Sequence, residues 1–172
     1  MGASPGLTGA SALHAVEPSA VVRYVVGFVI YDGDVLLIEK RRPRWQDGKW
    51  NGVGGKIEPG ESPLAAMVRE FREEAGVVVT EWEHFATLSG EGFEVVYFRA
   101  FPDRMPHTRQ MTDEALCWWP MSVLPASLAS THWLIPMATH VGSHDVPLLI
   151  LERGATALDG STAEPLSEVG AA

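Results

Sequence analysis

Residues 55–77 read GKIEPGESPLAAMVREFREEAGV, and the fold turns on this stretch. Ser62-Pro63 supplies an N-cap and a first-turn proline, and Gly76 supplies a C-terminal stop, which together predict a helix over 63–75. Within it Leu64, Met67, Val68, Phe71 and Ala75 recur at helical spacing and are expected to form the buried stripe. Glu70, Glu73 and Glu74 stand at i, i+3 and i+4, so three carboxylates share a face, expected to lie opposite the Leu64/Phe71 stripe. Like charges so placed repel one another. A hard divalent cation bound through carboxylate oxygens, chiefly Mg²⁺ or Mn²⁺, would remove that penalty. Taken alone, the triplet also fits a solvated acidic face partly neutralised by Arg69 and Arg72.

Working outward, Gly52, Gly54 and Gly55 precede the helix and are expected to let the backbone approach a ligand, with Lys56 adding a positive charge. A glycine loop beside an acidic helix face suits a metal–polyphosphate complex. Further upstream, 21–31 (VVRYVVGFVIY) and 34–39 (DVLLIE) are aliphatic runs joined at Asp32-Gly33, a short-hairpin signal. The segment between, rich in Arg, Trp and Gly, is too punctuated for a long element. Downstream, strands are expected at 77–87 and 93–101, the second apolar on both faces and therefore central. ALCWW at 115–119 reads as a short strand, 131–141 as a helix and VPLLIL at 146–151 as a last strand. Strands alternating with two helices give a mixed α/β or α+β sandwich.

Composition narrows the function classes. The chain has 172 residues, 46% hydrophobic and 20% charged, ordinary globular usage for one domain. Its net charge of −9 argues against gripping a nucleic-acid polymer or an anionic membrane by bulk charge, so a phosphorylated substrate must be met by metal ions or a few local cations. No segment reads as a signal peptide or a membrane helix, and the single Cys117 suits a reducing compartment; a cytoplasmic protein is expected. Residues 1–19 and 155–172 are rich in Gly, Ala, Ser, Thr and Pro and read as flexible tails around a domain at 20–154. His140 and His144 have zinc-ligand spacing, but Gly142 between them interrupts a helix, and no structural zinc site is expected.

The full string, rather than the glutamate triplet, is what resembles a known family. Gly55, Glu61, Arg69, Glu70, Phe71, Glu73, Glu74, Gly76 and Val77 fit the Nudix box, G-x5-E-x7-R-E-U-x-E-E-x-G-U with U an apolar residue. The resemblance spans about 21–152 and implies the Nudix α/β/α sandwich, a mixed β-sheet flanked by helices. It also implies hydrolysis of a nucleoside diphosphate linked to another moiety, with divalent metal ions (Mg²⁺, or Mn²⁺ in its place) and an activated water. Position by position, Glu70, Glu73 and Glu74 match the family's metal-binding carboxylates, and Gly55 matches the residue whose carbonyl often joins them. Arg69 matches the arginine that orients the glutamates, and Glu61 a supporting carboxylate. Glu70 is the first choice for the general base and Glu74 the second. Thr112-Asp113-Glu114 resembles a Ser-Asp-Glu segment of sanitising Nudix enzymes, which makes Glu114 a further metal ligand or base; an ordinary loop acid is the alternative. Arg104 and Arg109 fit either phosphate contacts or solvated surface.

A finer resemblance concerns the substrate. Trp50-Asn51-Gly52-Val53-Gly54-Gly55-Lys56 is similar to the subgroup that hydrolyses oxidised purine nucleoside triphosphates to monophosphate and pyrophosphate. It implies that Asn51 contacts the base and that Trp45 helps sandwich it; a loop-capping hydrophobe is the alternative for Trp45. Trp50, Trp118 and Trp119 read as packing residues. The subgroup's mammalian members carry Trp-Pro-Asp-Asp before their last helix, and the equivalent residues here, 127–133, hold no acid. The base is therefore left open. Expected is pyrophosphohydrolysis of a nucleoside triphosphate, modified or not. The alternatives are hydrolysis of ADP-ribose or another nucleoside diphosphate compound, or a nucleotide sensor without turnover. Partners are limited to a small nucleotide and a possible second copy in a homodimer.

Overall fold

The structure, a computed structural model, describes residues 21–140 and the backbone of 148–151. The expected tails and His144 lie outside the described residues.

Strands β1 (Val22–Tyr31) and β2 (Asp34–Glu39) form the expected hairpin. Its turn residues, Asp32 at φ 47° and Gly33 at φ 85°, adopt the positive dihedrals that match the twist of the flanking strands. A two-residue strand, β3 (Trp50–Asn51), follows the arginine-rich loop, and helix α1 runs over Pro63–Ala75. Then come β4 (Glu83–Gly90), β5 (Phe93–Ala100), β6 (Leu116–Pro120), helix α2 (Thr131–Thr139) and β7 (Leu148–Leu151). The strands make one mixed sheet in the order β3-β2-β1-β5-β4-β7, with β6 pairing with β2. β5 lies between β1, parallel to it, and β4, antiparallel, the central place its two apolar faces require.

Alternation along the strands divides the core between two faces. Val25, Val29, Leu36, Ile38, Val96 and Phe98 pack with Ala66, Met67, Phe71 and Ala75 of α1. Val26, Phe28, Ile30, Val35, Leu37 and Tyr97 pack with Leu134, Ile135 and Ala138 of α2. One helix covers each face, so the fold is an α/β/α sandwich. Trp118 joins the first cluster and Trp119 the second, and Trp50 meets Trp119 edge-on with ring centroids 5.4 Å apart. Among the described residues no helix is long and apolar enough to cross a membrane.

Three expectations need correction. β4 begins at Glu83 rather than 77, because Val79 and Trp82 are buried under α1 and the Trp82 indole donates to the Val79 carbonyl at 2.9 Å, curling the segment out of the sheet. α2 stops at Thr139, where the buried Arg99 guanidinium donates to the carbonyls of Ala138 and His140. Leu64 is 46% exposed and does not belong to the buried stripe; it lies in the first turn of α1, where Ser62 caps the helix by accepting from the Ala65 amide.

Candidate active site

The glycine loop reaches the helix through β1. Val53 and Gly55 accept hydrogen bonds from the amides of Gly27 and Val25 at 2.7 and 2.9 Å, and Ile57 donates to Arg23 at 2.9 Å, so residues 53–57 run beside β1. This packing itself requires glycine at two of these positions. A Cβ on Gly54 would collide with the Val25 carbonyl, and one on Gly55 would come within 2.5 Å of the Glu70 carboxylate. The Gly55 carbonyl, expected to face a metal, accepts from Val25 and keeps its second lone pair.

The carboxylates do not lie opposite the apolar stripe. Glu74 is two turns from Met67, which turns it roughly 20° from that buried residue, and the Glu70 side chain flanks the same arc. Both side chains are largely buried, 15% and 13% exposed for Glu70 and Glu74, whereas Glu73 is half exposed at 51%. The acidic face therefore fans from the helix–sheet seam to solvent instead of standing on the outer side.

Arg69 organises the outer part of this fan. Its guanidinium grips Glu61 through two bonds of 2.9 and 2.8 Å, donates to Glu70 at 2.7 Å and to the Lys56 carbonyl at 3.0 Å, and reaches Glu73 at 3.3 Å. The bond from Arg69 holds the Glu61 carboxyl below its ordinary range, and Glu61 followed by Glu70 raises Arg69 above its own. Arg72 forms no ion pair among the described residues, so of the two arginines weighed for that role only Arg69 neutralises the triplet, at Glu70 and Glu73.

The inner part is held by Lys40, which the sequence pattern does not single out. Its ammonium lies 2.7 Å from Glu114 Oε2 and 3.5 Å from Glu74 Oε1. The other Glu114 oxygen accepts from the Arg41 amide at 2.7 Å. Glu74 Oε2 accepts from the Gly54 amide at 3.1 Å. Burial pushes the Glu74 carboxyl up to about 7; Lys40 and the Gly54 amide oppose that shift, and the neighbouring Glu114 and Glu70 add to it. Glu114 arrives because its loop is tied to the C-terminal end of α1, with Arg109 donating to the Ala75 carbonyl at 2.8 Å and Met111 to the Glu74 carbonyl at 3.2 Å. The signal for Lys40 lay in the register. Ile38 pairs with Leu116 across β2 and β6, so continuing the antiparallel ladder by two residues puts Lys40 opposite Glu114.

Thus Gly55, Arg69, Glu70, Glu73, Glu74 and Glu114 come together, with Glu61 behind them. The residues expected to contact the base are more dispersed. Asn51 on β3 is half-buried, its Oδ1 accepting from the Gly52 amide at 2.8 Å and from the buried Thr131 hydroxyl at 3.3 Å. Thr131, eighty positions from Asn51, is a partner that no local pattern announces. Trp45 lies in a single 3₁₀ turn, Arg44–Gln46, 64% exposed, and Lys56 is exposed. Arg104 and Arg109 are exposed and pair with no carboxylate among the described residues.

The donor set suits Mg²⁺ or Mn²⁺, being hard carboxylate oxygens beside a peptide carbonyl brought within reach by Gly55, which leaves the Glu70 carboxylate room no side chain would allow. Among the described residues no three acidic, His or Cys side chains stand close enough together to hold a metal ion by themselves. Mg²⁺ does not need such a set, since it retains water and is commonly shared between one or two carboxylates and substrate phosphates.

Comparison with known proteins gives a concordant picture. A family model described as the NUDIX domain matches residues 21–137. The CTP pyrophosphohydrolase of Escherichia coli (strain K12) is 33% identical over 101 residues, 57% of this chain and 75% of that protein. An oxidized purine nucleoside triphosphate hydrolase of Danio rerio is 47% identical over 51 residues, 30% of this chain and 32% of that protein. Among solved structures, a mutator MutT protein from Bacillus halodurans aligns with a TM-score of 0.61 at 28% identity, covering 77% of this chain and 90% of that one.

Proposed function

The chain belongs to the Nudix family and is a hydrolase of nucleotide substrates, and we propose that it cleaves a nucleoside triphosphate to the monophosphate and pyrophosphate by attack of water. The observation that carries this reading is the fan of Glu70, Glu73 and Glu74 beside Gly55, joined by Glu114 from a separate loop. The similarity to a CTP pyrophosphohydrolase over three quarters of that protein supports a triphosphate substrate. Nudix hydrolases generally use divalent metal ions. Here Gly55, Glu70, Glu73, Glu74 and Glu114 would hold Mg²⁺ or Mn²⁺, which supplies charge neutralisation for the polyphosphate and acidifies an attacking water.

The chain's own residues then divide the work. Arg69 keeps Glu70 and Glu73 in place while Glu61 anchors Arg69 from behind. Glu70 or Glu74 takes the proton of the attacking water. Glu70 is already committed to Arg69, whereas Glu74 is enclosed, paired with Lys40 and bonded to the Gly54 amide. Asn51 and Trp45 meet the base, and Lys56 lies beside the phosphates.

The test is a screen for pyrophosphate and phosphate release with Mg²⁺ or Mn²⁺ over ordinary and oxidised nucleoside triphosphates, ADP-ribose, dinucleoside polyphosphates and nucleotide sugars. Pyrophosphate from a triphosphate is the expected result. Turnover of ADP-ribose or sugar nucleotides alone would discard the triphosphate and keep the catalytic helix.

A further inference from the structure

The Lys40 ammonium stands between two carboxylates proposed above as metal ligands, 2.7 Å from Glu114 and 3.5 Å from Glu74, with its side chain only 14% exposed. Its place is fixed by backbone bonds, not by chance of a long side chain. The Lys40 amide donates to the Lys49 carbonyl at 2.9 Å and its carbonyl accepts from the Gly48 amide at 2.9 Å, while neighbouring Glu39 donates to Ala115 at 2.8 Å. Both walls of the loop pin the residue opposite Glu114. A cation so held supplies part of the positive charge that a divalent ion would supply, and it uses oxygens that ion would want.

We propose that Lys40 is a positioning residue that holds Glu114 against Glu74 and acts as a built-in counter-cation, competing with the divalent metal for these two carboxylates and so lowering metal affinity. The proposal rests on the metal-dependent reading above. Its physical consequence is reciprocal: Lys40 stabilises the metal-free fold by screening Glu74 and Glu114, and the same screening weakens metal binding. Such a device keeps the acidic pocket folded without metal. Arginine at this position would retain the charge, and methionine would keep the length and remove it.

The experiment measures Mn²⁺ binding by titration calorimetry on metal-stripped protein, without nucleotide, for the unmodified chain, Lys40→Met and Lys40→Arg. Melting is followed in parallel in EDTA and in saturating Mn²⁺. Lys40→Met is expected to bind Mn²⁺ about tenfold tighter, because one positive charge has left the pocket. It is also expected to melt lower than the unmodified protein in EDTA and to regain that loss in Mn²⁺, with Lys40→Arg close to the unmodified protein in both. Unchanged or weaker Mn²⁺ binding by Lys40→Met overturns the competition. So does a melting deficit that Mn²⁺ does not repair, because that would make Lys40 a structural prop only. If Lys40→Met does not fold in EDTA, its affinity is read from melting against Mn²⁺ concentration, where tighter binding again supports the competition and unchanged or weaker binding again overturns it. A protein that binds Mn²⁺ in the expected order but hydrolyses no triphosphate would leave this inference standing and remove the proposed activity.

Discussion

Arg69 and Arg99 each hold a guanidinium against carboxylate and carbonyl oxygens, yet the two surroundings are built to opposite ends. Arg99, on the central strand and 6% exposed, has one acid, Glu83, gripped through two bonds of 3.1 and 2.8 Å, and two carbonyls at the end of α2. One positive charge meets one negative charge, and the bonds tie helix to sheet. Arg69 faces Glu61, Glu70 and Glu73, and beyond them Lys40 faces Glu74 and Glu114, so five carboxylates are set against two cations. A balanced pair is finished chemistry. A pocket with more acids than cations, four of its five acids largely buried, gains stability when a further cation is added, and here lies the difference between a clamp and a site.

The largest effects should separate the two regions by activity. Glu73→Gln and Glu74→Gln keep shape and remove charge, and each is expected to lower kcat by roughly 10²–10⁴ with the melting temperature in Mg²⁺ nearly unchanged. Glu83→Gln, the matching change at the clamp, should leave kcat as it was. Full activity in both site variants would remove these glutamates from the chemistry, and a loss in Glu83→Gln would break the contrast.

Replacing the arginines should separate the two regions again, now with a loss of stability at the clamp. Arg99→Met strips two carbonyls of their donor while the half-exposed Glu83 returns to water, an expected loss of about 2 kcal/mol, read as a melting temperature lower by roughly 5 °C with kcat retained. Arg69→Met should instead lower kcat/KM by about 10–100-fold, the usual cost of losing a group that orients ligands.

A pH experiment sharpens the contrast further. The carboxyls of Glu61 and Glu83, lowered by their arginines, contribute stability above the ordinary carboxylate range that is lost on acidification. Glu74 has the opposite sign. With its carboxyl raised by burial to about 7, its contribution is whole below an unfolded-state value near 4.5 and is lost as pH rises through 7. In EDTA, Glu74→Gln should therefore gain on the unmodified protein as pH climbs from 4.5 to 7, by on the order of 2 kcal/mol in urea titrations. Mg²⁺ should abolish the gain.

What was legible in the sequence follows from how local each signal is. Ser62-Pro63, Gly76 and Asp32-Gly33 act within a few residues, and the helix and hairpin they announce are present as expected. The Nudix box places Gly55 and the glutamates because its spacing is a helix with a loop before it. The helix is turned away from its expected orientation because the periodicity of Leu64 and Phe71 does not say where the sheet ends, and Leu64 overhangs it. Lys40 and Thr131 are silent in the sequence because each acts through a partner more than seventy positions away, one across a strand pairing and the other from helix to strand, contacts that only the folded chain supplies.

Arg72 gives the finest measure of the same distinction. It stands three residues from Arg69 on the same helix and carries the same charge, and the acidic triplet gives both an equal claim to neutralise it. The helix turn decides between them. Both arginines border a shallow surface depression with Leu64, Ala65, Val68 and Val78, but only the Arg69 guanidinium reaches the seam where Glu61 and Glu70 converge, and Arg72 pairs with no carboxylate among the described residues. Its remaining contribution is that of a cation in the last turn of a helix, where the exposed carbonyls carry partial negative charge, about 0.3–0.5 kcal/mol. Arg72→Ala should accordingly shift the melting temperature by roughly 1 °C and leave kcat, KM and Mn²⁺ affinity unchanged. A tenfold fall in kcat/KM would mean that the charge of this helix acts as a diffuse field, and that the short bonds around Arg69 do not decide which arginine serves the site.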